Sequence, residues 1–280
     1  MLDVIANSWA STFSVLKHVA VVFAIATLLE YTLPAERSQP VQHRLFNVVY
    51  TVLFFFITFM LLVPAGKVIQ PLVVNYGEWI VIEFPAVWWG QVLQALAFFL
   101  VFDFFYYWFH RGQHTMGLLW RQHRLHHSEK SLNVTSTLRH HWLEEPLRAF
   151  LMLLPMGILF QISPSQLTWL WSTLMLWGYF IHMNVRLQLG PLTPVIAGPQ
   201  LHRLHHSFAP EHQDKNYAAF FPIWDILFGT YVAPKRNEFP VTGLADGADL
   251  NGLWRASVSP FIPTRPRAQG EAKTAPATQG

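Results

Sequence analysis

Three apolar runs, residues 13–33, 45–63 and 87–109, decide what this chain can become before anything else is read. Each is near the roughly 20 helical residues needed to cross a bilayer core of about 30 Å. Pro34 closes the first and Pro64 the second, while the third runs directly into a pair of histidines. No basic region precedes the first run and no small-residue cleavage site follows it, so a signal peptide is not expected. Composition agrees: 52% of residues are apolar and 12% charged, against about 25% charged in a typical soluble domain. Twenty-three Phe and twelve Trp suit a bilayer core and its interfaces.

Two shorter runs, 149–160 and 167–181, are joined by Ser163-Pro164-Ser165 and read as a hairpin that enters the membrane and returns. Basic residues orient the whole. Arg37 and Arg44 follow the first span, and Arg111, Arg121, Arg124, Lys130 and Arg139 follow the third. Only Lys67 lies between the second and third, and the hairpin tip has none. The positive-inside rule then puts the N-terminus outside and the histidine-rich regions at the cytoplasmic face. The expected fold is all-α and integral to the membrane. It has about four transmembrane helices, the hairpin included, under a cytoplasmic histidine-rich helical cap. Residues 1–86 are N-terminal transmembrane helices, 87–235 the chemical unit, and 256–280, rich in Pro, Ala and Gly, a disordered tail.

The basic residues sit in loops, and the formal charge is only +3, so no nucleic-acid partner is expected. With no cysteine, disulfides, thiolate zinc sites and Cys-ligated iron–sulfur clusters are excluded. Histidine is the distinctive residue. His110 and His114 stand four apart on a helix continuing from the third span, so both rings can reach one ion. His123-Arg-Leu-His126-His127 and His202-Arg-Leu-His205-His206 are near-copies and suggest two matching half-sites. His182, at the hairpin's end, is a candidate ninth ligand and His141 a possible tenth. His18, His43, His140 and His212 read as structural or solvated histidines. Two triplets and a pair on one face of a membrane domain have no ordinary core or surface explanation, and a polynuclear metal site follows.

Imidazole suits Zn, Cu, Fe and Ni. Eight or more ligands imply two metals, because a catalytic zinc uses three protein ligands and a water. H-E-x-x-H is absent, as is the Glu-x-x-His pattern of soluble di-iron bundles. Iron with O₂ fits best, and zinc stays open. A membrane zinc hydrolase would need a base such as Glu144 or Glu129. A metal-binding transporter would place polar residues deep within several spans, whereas here only Asp103 is so placed. Asp103, two turns before His110, is positioned to accept a ring N–H from a ligand, with Glu144, Asp214 and Asp225 as further candidates. Asn184 is a candidate weak outer ligand. Arg111, Arg124 and Arg203 each adjoin a ligand and are expected to meet lipid head groups or a carboxylate.

Residues 103–231 carry a specific resemblance. They read D-F-F-Y-Y-W-F-H-R-G-Q-H, W-R-Q-H-R-L-H-H-S, T-L-R-H-H-W-L-E, F-I-H-M-N-V-R-L-Q-L-G-P-L, L-H-R-L-H-H-S and D-K-N-Y-A-A-F-F-P-I-W-D-I-L-F-G-T-Y in that order. This series resembles the fatty acid hydroxylase / sterol desaturase superfamily. The resemblance implies a di-iron centre (two Fe ions, with O₂ as co-substrate) acting on a lipid C–H bond by hydroxylation or desaturation. It implies a separate electron donor, ferredoxin- or cytochrome b5-like with its reductase; no H-P-G-G segment of a fused cytochrome b5 domain is present. It makes His110, His114, His123, His126, His127, His202, His205 and His206 metal ligands, and matches His182 and His141 to further family histidines. Trp142, where the family usually has proline, and Ala218, where it often has glycine, depart from the pattern.

Overall fold

A computed structural model of the chain describes residues 2–160 and 164–262. Among the described residues there are helices and loops but no strand, only two isolated bridges, Pro34 with Val185 and Ser207 with Thr242. Three helices are long and apolar enough to cross a membrane. These are α1 (Leu2–Thr32), α2 (Val41–Ile80) and α3 (Trp88–Thr115). Their outward faces carry Phe13, Val21, Ile25 and Leu28 on α1, Leu45, Val48 and Val49 on α2, and Val92, Leu93 and Leu96 on α3, all exposed. A soluble domain rarely leaves so continuous an apolar surface in water, whereas lipid tails solvate it.

After α3 come α4 (Gly117–His127) and a 3₁₀ turn, Val134–Leu138. Then α5 (Glu144–Arg148), a π turn (Ala149–Leu153) and α6 (Leu154–Leu159) form one continuous arm. The return arm is α7 (Pro164–His182), so the two arms of the expected hairpin are present; of its tip, Ser163 lies outside the described residues. The chain closes with α8 (Pro199–His205), α9 (Ile223–Leu227) and α10 (Leu253–Val258).

Two expectations need correction. Pro64 does not end the second span: α2 runs on to Ile80 with Pro64 and Pro71 inside it. A helix-interior proline costs about 3 kcal/mol. Here the apolar stretch beyond it packs on the hairpin, so closely that a Cβ on Gly157 of α6 would stand 2.9 Å from Val73 Cγ2. That burial offsets the lost hydrogen bonds. Residues 256–262, expected to be disordered, instead complete α10 and a 3₁₀ turn, Ser259–Phe261, with Ala256 and Ser259 buried. The Pro-, Ala- and Gly-rich composition of the later residues masked this short apolar segment; 263–280 lie outside the described residues.

The cap is fixed to the spans by buried charge. Glu30 of α1 pairs with Arg44 of α2 at 2.6 Å, and its Oε1 accepts the backbone N–H groups of Val134 and Asn184. Glu129, just past α4, accepts from His43 Nδ1 and Asn47 Nδ2 of α2, both at 2.8 Å. Arg139, fully buried, donates to Asn47, Ser128 and Asn251 and lies over the Phe46 ring. Each charge is satisfied by several partners, as burial of an ion requires. The ends of α1, α3 and α7 and the start of α2 therefore meet at one level, where the histidines lie.

Candidate metal centre

Four elements deliver nine histidines to that level. The last two turns of α3 carry His110 and His114, and the last two turns of α4 carry His123, His126 and His127. His182 ends α7, while α8 holds His202 and His205 with His206 as its C-cap. All nine are between 0 and 7% exposed. Their ring nitrogens gather into two groups. One comprises His110, His114, His123, His127 and His205, and the other His126, His182, His202 and His206. Within each group the candidate ligand atoms lie within 4.8 Å of one another. The near-copied triplets are not two separate half-sites. His127 and His205 join one group, His126 with His202 and His206 the other, so each triplet is split between both.

Backbone carbonyls set the tautomers. His110 Nδ1 donates to Tyr217 O at 2.7 Å, His182 Nδ1 to Gly178 O at 2.7 Å and His205 Nδ1 to Lys215 O at 2.8 Å. A carbonyl only accepts, so the proton is on Nδ1 and the lone pair on Nε2. Those Nε2 atoms then crowd others of their kind. His110 meets His123 at 3.1 Å, and His182 meets both His126 at 3.1 Å and His202 at 3.0 Å. His202 in turn meets His206 at 3.1 Å. Unprotonated nitrogens facing each other cannot all be hydrogen-bonded, and a shared cation resolves the repulsion. His126 Nδ1, His127 Nε2 and His206 Nδ1 are buried with no hydrogen-bond partner. Burial first, and neighbouring imidazoles second, hold His126, His127, His202 and His206 well below the usual imidazole range. They are neutral donors, the form a metal needs. Two sets of five and four clustered imidazoles fit two first-row divalent ions.

Behind His123 stands a carboxylate. Glu144, fully buried, places Oε2 3.6 Å from His123 Nδ1, 3.2 Å from His140 Nδ1 and 2.7 Å from Gln113 Nε2, which donates to it. Burial alone would raise its pKa, yet His140 and His123 bring it well below the usual carboxylate range. His140 also stacks on His126, with ring centroids 4.1 Å apart and planes 14° from parallel. Sequence reasoning missed His140 and Gln113. The usable signal for His140 was its i,i+4 spacing to Glu144.

Other expected site residues are elsewhere. His141 is outside both groups, its Nε2 donating to Ser257 O at 3.0 Å and its Nδ1 accepting the Leu143 N–H. With both nitrogens engaged in the fold, the expectation of a ligand there is corrected. Asp103 does not touch a histidine. Its carboxylate accepts the backbone N–H groups of Ala219, Phe220 and Phe221 at 2.7–3.1 Å, which anchors the loop after Tyr217 to α3. Asn184 is also structural: its side chain exchanges two hydrogen bonds with the Glu36 backbone, joining the end of α7 to the α1–α2 connection. Asp214 lies 3.4 Å from His114 Nδ1. Asp225 accepts from Tyr217 N, Ala218 N and Thr230 Oγ1. Arg124 and Arg203 meet the carboxylates of Asp246 and Glu36, while Arg111 lies over the Trp108 ring.

The sequence profile of the family described as fatty acid hydroxylase matches residues 95–230. Alkylglycerol monooxygenase of Xenopus tropicalis is 36% identical over 152 residues, 54% of this chain and 32% of its own length. Ornithine lipid hydroxylase OlsE of Rhizobium tropici is 32% identical over 173 residues, 62% of this chain and 52% of its own. Human lathosterol oxidase is 30% identical over 159 residues, 56% of this chain and 50% of its own. The chain thus spans about a third to a half of the length of these relatives. No solved structure matches it. Residues 95–230, which match the fatty acid hydroxylase family, contain all nine gathered histidines.

Proposed function

We propose that this protein is an O₂-dependent di-iron oxygenase that hydroxylates or desaturates a C–H bond of a membrane lipid. One observation carries the reading: two adjoining, buried, all-histidine groups lie at the end of a membrane-spanning helix. Iron bound there would supply reductive activation of O₂ and attack on an unactivated C–H bond. His110, His114, His123, His127 and His205 would hold one ion and His126, His182, His202 and His206 the other. The carbonyls of Tyr217, Gly178 and Lys215 hold three of these rings in the ligating tautomer.

The relatives' names support a lipid substrate. Monooxygenase and hydroxylase among them favour oxygen insertion over desaturation. A hydrolase is less well supported, because Glu129 is committed to His43, Asn47 and Arg139. Glu144 faces His123 Nδ1, across the ring from the Nε2 that meets His110. Transport is less well supported because the Asp103 carboxylate is taken up by backbone N–H groups. In this reading residues 87–235 are the catalytic unit and 1–86 the anchoring helices, with the histidine face cytoplasmic and electrons arriving from a separate ferredoxin- or cytochrome b5-like donor.

The test is lipid mass spectrometry on cells grown under ¹⁸O₂ with the wild-type chain or with His206→Ala. A lipid that gains one labelled oxygen only with the wild-type chain is the expected result. Loss of two hydrogens without label would assign desaturation. No lipid difference, with iron and a reductant supplied, would overturn the proposal.

A further inference from the structure

Helix α9 is short, and its two sides differ sharply. One side packs on the last membrane turns of α3: the Trp224 and Phe104 rings are 4.9 Å apart, as are Phe228 and Trp108. The other side presents Ile223, Ile226 and Leu227, which are 44%, 47% and 63% exposed. Trp108 near the end of α3, Met116 just past it and Leu118 at the start of α4 are exposed as well. This surface continues the outward face of α3, where Leu93, Leu96 and Leu100 are exposed within the candidate span. Arg111 lies 5.5 Å over the Trp108 ring, a cation beside an aromatic of the kind found at the head-group level. Large apolar side chains on one side of a short helix beside a span suit the boundary between head groups and acyl chains.

The inward side of α9 leads to the metal centre. Asp225 Oδ1 accepts Tyr217 N–H and Oδ2 accepts Ala218 N–H, both at 2.8 Å. The Tyr217 carbonyl takes the His110 Nδ1 proton at 2.7 Å. We propose that α9 is a phospholipid-interface anchor that, through Asp225 and the Tyr217 backbone, ties the bilayer surface to the orientation of His110. The bilayer is the occupant of the Ile223–Ile226–Leu227 surface, and Asp225 is a positioning residue. The inference is independent of which metal binds and which lipid is oxidised.

The absence of cysteine makes a direct test clean. Leu227→Cys and, on an exposed loop, Arg236→Cys are each labelled with bimane in phosphatidylcholine vesicles. The Leu227 probe is expected to be quenched by phosphatidylcholine brominated near the glycerol and shielded from aqueous iodide, with the Arg236 probe showing the reverse. Equal iodide quenching at both sites, with no effect of brominated lipid at Leu227, would overturn the anchor. The coupling is read in the same vesicles as metal affinity. Ile226→Asp with Leu227→Asp, and separately Asp225→Asn, should each weaken binding of added Co(II) about 10-fold or more, as loss of a ligand-orienting contact does. Unchanged affinity in the double variant once its insertion is lost would overturn the coupling. Unchanged affinity in Asp225→Asn would overturn the role of Asp225.

Discussion

Individual nitrogens hold the centre together, and the hydrogen bond at one side of a ring decides what the other side can do. His141 spends both nitrogens on Ser257 and Leu143, whereas His206 keeps Nδ1 without a partner and turns Nε2 to His202. His206→Ala is therefore expected to lower the metal content of purified protein, and His141→Ala to leave it intact; elemental analysis of the two variants checks both. Equal loss in both would return His141 to the ligand set. Glu144→Gln keeps the shape of the Gln113 contact and removes the charge that faces His123 and His140. Contacts behind a ligand are worth about 10–100-fold in metal affinity, so a loss in that range is expected in a competition titration. That the pair and the triplets gather was legible because helical spacing turns several of their rings to one side. Asp103 was misread for a physical reason. A carboxylate inside a span must be satisfied, and the sequence cannot show that three backbone N–H groups from 116 or more residues later do so.

Elements follow the same division between local and distant causes. Spans, hairpin arms and the helical continuation of α3 to His114 are set by local hydropathy and were readable. The course of α2 past Pro64 depends on what packs against Val73, which local pattern does not contain. Close approach also governs the start of α3. A Cβ on Gly90 would fall 2.0 Å from the Pro85 carbonyl oxygen, a backbone atom that cannot move aside as a side chain can. Gly90→Ala should cost about 1–3 kcal/mol, the usual penalty of overpacking, seen as a lower thermal midpoint in detergent. Gly117, at the start of α4, has nothing within 4 Å of such a Cβ. Gly117→Ala should change stability by no more than about 0.5 kcal/mol, in keeping with open surface sites. An unchanged midpoint for Gly90→Ala would mean that the turn before α3 is free to open.

The whole molecule buries a dense set of imidazoles, and this has a consequence for acid stability that no single residue predicts. In the metal-free protein, burial and mutual repulsion lower the affinity of His123, His126, His127, His202 and His206 for protons. In the unfolded chain the same rings titrate near the ordinary value of 6.5. Below that pH the unfolded state binds protons that the folded state refuses. Stability therefore falls as pH drops through about 6.5 and is insensitive to these groups above it. Each such proton contributes about 1.4 kcal/mol per pH unit, so several acting together make the fall steep. Chelated protein in detergent should keep a nearly constant thermal midpoint between about pH 8 and 7 and lose it rapidly toward pH 5.5. Metal occupying the same nitrogens opposes their protonation, so the loaded protein should hold its midpoint to lower pH than the chelated one. A chelated protein whose midpoint is flat down to pH 5.5 would mean that the rings are already protonated in the folded state. The neutral, ligand-ready cluster on which the metal centre rests would then be wrong.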